Sequence, residues 1–253
     1  MGEGPVMATA IHDGHFVRES LRPWMVISED DRRRDEDPLT SVWTTVADTQ
    51  VRVHASRFQV DLNRPRAKAI SADPADTWGI RVWDDALPQD EIERSLRTYD
   101  RFYRTMNTLM DEMVQRWGHV LVLDIHSYNH RRDGAHGPPA DPAANPEIDL
   151  GATTLDRSVH GALVGRFSQV LRAWPVRGRL PDVRENVRYE GGGHFPEWLH
   201  ATYGPRVCAI SIEYKKIYMD EWTATADIAV VDDLRAGLRA AVEAVRPLLG
   251  AMR

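Results

Sequence analysis

Two rhythms of apolar residues run along this chain, and together they predict strands alternating with helices. Val120-Leu121-Val122-Leu123 is an unbroken apolar run just after Gly118. Such a run is the pattern of a strand buried on both faces of an α/β sheet. Residues 6–11 form a shorter run of the same kind, and residues 207–212 another. Residues 50–54 alternate, with Val51 and Val53 sharing one strand face. The second rhythm is a spacing of three and four. Between Gln89 and Trp117 it gathers Ile92, Leu96, Tyr99, Tyr103, Met106, Met110, Met113 and Trp117 into one stripe, which predicts a long amphipathic helix. Asp90 followed by Glu93 resembles a capping box, and Gly118 supplies the exit. A stripe of Met and aromatic residues is core by default and is assigned no chemistry. Further helices are predicted over residues 156–173 and 226–249, with short ones around 29–34 and 39–47.

The intervening stretches are irregular. Residues 1–5 read as a short disordered lead, and residues 66–87 as a loop carrying Trp78 and Trp83. Residues 131–150 are rich in Pro, Gly and Asp, and a loop of that length is usually functional or disordered. Tyr189-Glu190-Gly191-Gly192-Gly193-His194 is a glycine-rich loop, but no Gly-Lys-Ser/Thr follows it, so it is no phosphate-binding P-loop. With no internal repeat and no linker of domain-separating quality, residues 1–253 read as a single domain.

Composition narrows the class. The chain has 253 residues, 42% of them apolar, enough for one sizeable α/β core. Its formal charge of −6 argues against nucleic acid or acidic membrane as a partner. The basic run Arg32-Arg33-Arg34 is answered at once by Asp35-Glu36-Asp37. A single cysteine, Cys208, excludes an intramolecular disulfide and a cysteine-rich zinc module, and its apolar setting predicts an inert core thiol. No signal peptide or long apolar span is apparent, so a soluble, cytoplasmic protein is expected.

The chemistry gathers where the apolar runs stop. The first run ends in His12-Asp13-Gly14-His15, the central one in Asp124, His126, Ser127 and Asn129, and the last in Glu213. Open α/β sheets bind ligands outside the carboxyl ends of their strands. Histidine nitrogens and carboxylate oxygens suit a catalytic Zn²⁺ with an open position for water. Glu213 is then the candidate general base. In Ser56-Arg57-Phe58-Gln59-Val60-Asp61-Leu62-Asn63-Arg64-Pro65, a guanidinium can grip a carboxylate or face an oxyanion. Asp61 can hold either arginine in place.

The same decapeptide resembles the signature of the N-formylglutamate amidohydrolases. Asp124-x-His126-Ser127 is similar to that family's second motif, and residues 209–213 with Tyr218-Met219-Asp220-Glu221 to its third. Ile11-His12-Asp13-Gly14 stands where the family has its first histidine motif, Asp35-x-Asp37 resembles its acidic pair, and residues 146–151 and 191–193 its intervening loops. The resemblance runs from about residue 8 to 222. It implies a three-layer α/β/α sandwich around a mixed sheet, like that of the zinc exopeptidases and aspartoacylase-like deacylases. It implies one Zn²⁺ per chain on His12 and His126, with either His15 or Asp37 as third ligand. Glu213 becomes the general base, Arg57 the oxyanion partner, and Asn63 with Arg64, supported by Asp61, the substrate-binding group.

The expected activity is hydrolysis of an N-acyl amino acid, N-formyl-L-glutamate by default. The partner is thus a small molecule, and an oligomer is possible. A zinc deacylase or peptidase of other acyl specificity is one alternative. A non-catalytic carboxylate-binding protein on the same scaffold is the other.

Overall fold

A computed structural model of the chain describes residues 2–71, 73–189, 191 and 193–252. The predicted apolar runs become strands. Val6–Ala10 is β1, Thr49–Arg52 β2, Val120–Tyr128 β3 and Val207–Lys215 β6. Two short strands are additions: Ile148–Gly151 (β4) forms at the end of the predicted 131–150 loop, and Val183–Glu185 (β5) in a stretch to which the sequence assigns no element. Together they form one six-stranded sheet in the order β2-β1-β3-β6-β4-β5. β2, β1, β3 and β6 run parallel, whereas β4 is antiparallel to β6, so the sheet is mixed.

The helices are Glu29–Asp35 (α1), Thr40–Trp43 (α2), Gln89–Trp117 (α3), Arg157–Ala173 (α4), His194–Tyr203 (α5) and Ile228–Ala251 (α6). Alternation along the strands sorts side chains between two apolar layers. Leu121, Leu123 and Ile125 of β3 join Cys208, Ile210 and Ile212 of β6 against α4 and α6. Val120, Val122, Val207 and Ala209 face the other way, against Met106, Met110 and Met113 of α3 and Phe195 and Leu199 of α5. The result is the three-layer α/β/α sandwich. Cys208 is buried, and burial pushes its thiol up to about 12, as an inert core position requires.

Two local expectations are corrected. The capping box at Asp90 and Glu93 does not form. Pro88 is the N-cap without a side-chain bond, and Glu91 turns instead to Arg18 at 2.6 Å. Residues 2–5 are not a free lead: Gly2 N–H donates to Thr49 Oγ1, and Leu121 N–H donates to the Pro5 carbonyl. β3 and β6 run two residues past His126 and Glu213, which stand near the carboxyl ends of their strands as expected. His126 and Glu213 are inside the strands, directly opposite one another in register. The exit of α3 is as expected: Gly118 at φ 77° donates its N–H to the Val114 carbonyl.

Candidate active site

The fold decides where polar side chains gather. From β1 the chain crosses to β2 on one side and later to β3 on the other, so a crevice opens beyond the carboxyl ends of β1 and β3. The face that carries Val120 and Val122 continues as Asp124, His126 and Tyr128, and its neighbour continues from Val207 and Ala209 to Ser211 and Glu213. One face of the sheet is thus apolar in its first half and ionisable in its second. His12 follows β1 after Ile11, and Asp37 lies just beyond α1, with its N–H donating to the His12 carbonyl at 3.0 Å.

His12, Asp37 and His126 come together, all buried, with ligand-capable atoms within 4.8 Å of one another. Asp37 Oδ2 lies 3.0 Å from His126 Nδ1 and 3.5 Å from His12 Nδ1. Each ring is anchored at its other nitrogen by a buried carboxylate. His126 Nε2–H donates to Asp124 Oδ2 at 2.9 Å, and His12 Nε2–H donates to Asp61 Oδ1 at 2.8 Å. In the neutral rings these anchors put the protons on Nε2 and leave both Nδ1 lone pairs facing Asp37. His12 Nδ1 has no hydrogen-bond partner among the described residues although it is buried. An orphaned imidazole nitrogen beside a second one and a carboxylate fits a divalent cation, and carboxylate-anchored histidines are the usual support for such ligands.

Burial acts to raise the Asp37 carboxyl, but His12 and His126 outweigh it and hold the group below the ordinary carboxylate range. Burial would lower His126, whereas Asp124 and Glu213 raise it well above an ordinary imidazole. Glu213 is 6% exposed, and burial pushes its carboxyl up to about 8. His126 and Arg57 oppose that rise, while Asp37 and Asp124 add to it.

His15 is not brought to this group. Its Nδ1 contacts Glu36, a fully buried carboxylate that also pairs with Arg32, and the His15 side chain is 42% exposed. Of the two candidates for a third ligand, the described geometry gathers Asp37. Asp61 holds one of the two arginines, Arg57, as a supporting carboxylate should. It bridges His12 to Arg57 Nη2 at 2.8 Å and accepts the Asn63 N–H at 2.9 Å. A carboxylate committed in this way repels a substrate carboxylate, so Asp61 supports the wall rather than the ligand. Arg57 stays charged, because Asp61 and Asp37 more than offset the opposing effect of its burial.

Asn63 joins the wall to α5. Its Oδ1 accepts the Phe195 N–H and its carbonyl accepts the His194 N–H, two otherwise orphaned donors of that helix. A Cβ on Gly193, at φ 97°, would fall 2.4 Å from Asn63 Nδ2, so only glycine fits there. Glu190 and Gly192 of the same glycine-rich loop lie outside the described residues. Arg64 donates Nη2–H to the Asp76 carbonyl, and Tyr99 and Tyr103 of α3 donate their hydroxyls to the carbonyls of Arg64 and Leu62. The aromatic part of the α3 stripe therefore holds the site loop as well as the core.

These groups surround a cavity of about 180 Å³ that His12, Asp37, Arg57, Asn63, Arg64, His126 and Glu213 all help to line. Trp78, Arg132, Tyr189 and Lys216 line it too and were not foreseen. Tyr189 is delivered by β4, whose buried Asp149 accepts the N–H groups of Val187, Arg188 and Tyr189. Lys216 donates all its protons inward, to the carbonyls of Arg34 and Glu36 and to Asn129 Oδ1. Only one signal pointed this way, the unusual length of the loop after β3, which carries Arg132.

Residues 4–219 match the family model of the N-formylglutamate amidohydrolases. The chain belongs to that family. Membership makes amide hydrolysis on a small molecule its coarse activity. Among solved structures, it is similar to an N-formylglutamate amidohydrolase from Ralstonia eutropha, with 22% identity, a TM-score of 0.72, and 97% of this chain and 96% of that one covered. A gene product of Agrobacterium tumefaciens is also similar, at 18% identity and TM-score 0.63, over 96% of this chain and 92% of that one. At these identities the likeness supports the fold. No curated relative matches the chain in sequence.

Proposed function

We propose that this family member is a zinc-dependent amidohydrolase that converts N-formyl-L-glutamate to L-glutamate and formate. The observation that carries the reading is the buried trio His12, Asp37 and His126, with each imidazole turned by its own carboxylate and Glu213 across from His126. A zinc ion held by the trio supplies Lewis acidity, lowers the pKa of water at the site, and favours the ionised form of Glu213.

The chain's own groups do the rest. Arg64, on the loop held by Tyr99 and beside Asn63, grips a substrate carboxylate and orients the amide. Glu213 accepts the proton of the water that attacks the formyl carbon. The C–O bond forms, the carbonyl becomes an oxyanion, and Arg57, held charged by Asp61, stabilises it. Glu213 then returns the proton to the amide nitrogen as the C–N bond breaks, which releases glutamate and formate. A cavity of about 180 Å³ suits an amino-acid-sized substrate, since sites for larger ligands run to about 300–1,000 Å³.

The test is metal analysis of the purified protein and formate release from N-formyl-L-glutamate, run on the native chain and on Glu213→Gln. The expected result is about one zinc per chain in both proteins, chelator-sensitive turnover in the native chain, and turnover about 10²–10⁴-fold lower in the variant. Zinc without turnover on this substrate moves the specificity to other N-acyl amino acids. Turnover without metal removes zinc from the reaction.

A further inference from the structure

Two of the cationic groups at the cavity are firmly engaged, and two are only loosely held. Lys216 has spent its three protons on protein oxygens, and Arg57 is paired with Asp61 at 2.8 Å. Arg64 has only a backbone carbonyl as partner, and no carboxylate pairs with it among the described residues. Arg132 makes no hydrogen bond there at all. Its nearest carboxylate oxygen, Asp35 Oδ1, is 3.6 Å from Nη1 and already accepts from Asn129 Nδ2 at 2.6 Å. A structural arginine in this protein looks different: Arg246 forks onto Asp48 at 2.9 and 3.0 Å.

Trp78 explains how a guanidinium held only by a long ion pair to Asp35 is kept at the cavity. The ring centre is 5.2 Å from the guanidinium carbon of Arg132 and 5.2 Å from that of Arg57, both within cation–π range. Trp78 is 43% exposed and sits at φ 55°, a left-handed conformation unusual for so bulky a residue. Such backbone persists where the surroundings impose it, and it clusters at ligand clamps. The tryptophan thus forms a plate that presents Arg132 to the cavity without neutralising it.

We propose that Arg132 is a specificity-determining residue that takes the side-chain carboxylate of the substrate while Arg64 takes the other carboxylate. This rests on the hydrolase reading above and deepens it, because two separate guanidiniums select a dicarboxylate over its neutral isostere. A charge-assisted bond of this kind in a partly desolvated site changes affinity by about tenfold to a hundredfold.

The experiment is calorimetric binding of L-glutamate and of L-glutamine to the native chain, Arg132→Met and Arg132→Lys. The native chain is expected to favour glutamate at least tenfold. In Arg132→Met, glutamate affinity falls to the level of glutamine, and Arg132→Lys retains part of the preference because it keeps the charge. Equal binding of the two ligands by the native chain, no binding of either, or parallel losses for both ligands in Arg132→Met overturns the assignment. Formate release from N-formyl-L-glutamate, measured on the same samples, separates the two proposals. Selective binding without turnover leaves Arg132 in its role and removes N-formyl-L-glutamate as the substrate, whereas turnover without selective binding does the reverse.

Discussion

At the scale of single residues, the site is organised by carboxylates that touch no substrate. Asp124 is fully buried, accepts the Thr9 hydroxyl at 2.6 Å, and holds His126 Nε2 at 2.9 Å. Asp61 does the same for His12 while also fixing Arg57. A histidine ligand whose far nitrogen is anchored keeps its tautomer and direction, and loss of such an anchor costs metal affinity about 10–100-fold. Asp124→Asn is therefore expected to weaken zinc binding by that factor, read by competition with a chromophoric chelator, with turnover recovered when zinc is added in excess. Unchanged affinity in this variant would mean that the Asp124–His126 bond has no part in holding the metal. The motif Asp124-x-His126 was legible as chemistry in the sequence, but the division of labour within it was not. Two residues apart on a strand share a face, yet which one is ligand and which is support depends on Asp37, 89 positions away from His126 in the chain.

At the scale of elements, legibility follows length and periodicity. α3 was readable to both ends, since 29 residues of three-and-four spacing outweigh local ambiguity. β1, β3 and β6 were readable as apolar runs. β4 and β5 were not, because strands of four and three residues with Asp149, Arg184 and Glu185 among them carry too few periods to show a pattern. α5 was missed too: it begins His194-Phe195-Pro196 straight after the glycine-rich loop, and its first N–H groups are satisfied by Asn63 from a distant part of the chain. The role given to the α3 stripe was incomplete for a related reason. Burial of Tyr99 and Tyr103 follows from spacing, but the acceptors of their hydroxyls are set by tertiary contact. Removing both hydroxyls leaves the carbonyls of Leu62 and Arg64 without these donors, each worth about 0.5–1.5 kcal/mol. Tyr99→Phe with Tyr103→Phe should lower thermal stability and, because the loop presents Arg64, raise KM for an acidic substrate more than it lowers kcat. Steady-state kinetics and a melting curve read the two effects separately. A fall in kcat alone would detach α3 from substrate binding.

At the scale of the whole molecule, the sheet is polar at one end for chemistry, and a free strand edge away from it is covered by a single histidine held neutral. β6 has a free edge before β4 joins it at Ser211. His200 of α5 covers that edge: its Nε2 accepts the Ala209 N–H at 3.0 Å, and its Nδ1 meets Thr154 Oγ1 at 2.8 Å. Burial, with His160 nearby, pushes His200 down to about 4 from an ordinary 6.5. His160 is lowered as well, chiefly by burial and then by His119. A depressed imidazole means that the unfolded chain takes up a proton that the folded chain refuses. The contribution of His200 to stability is therefore complete above about pH 6.5 and is lost as pH falls from there toward about 4. One pH unit in that window is worth at most about 1.4 kcal/mol, reduced by the ring's partial exposure, which bounds the change at roughly 2–4 °C for a chain of this size. Comparison with His200→Gln isolates the effect, because every other titrating group is common to both proteins. Glutamine can still accept the Ala209 N–H but does not titrate. The variant should melt below the native chain at about pH 7.5, and the gap should narrow as pH is lowered to about 5. A gap that stays constant over that range would mean that His200 takes up its proton equally well in the folded and unfolded chains, and that the edge of β6 is held by something other than a neutral imidazole.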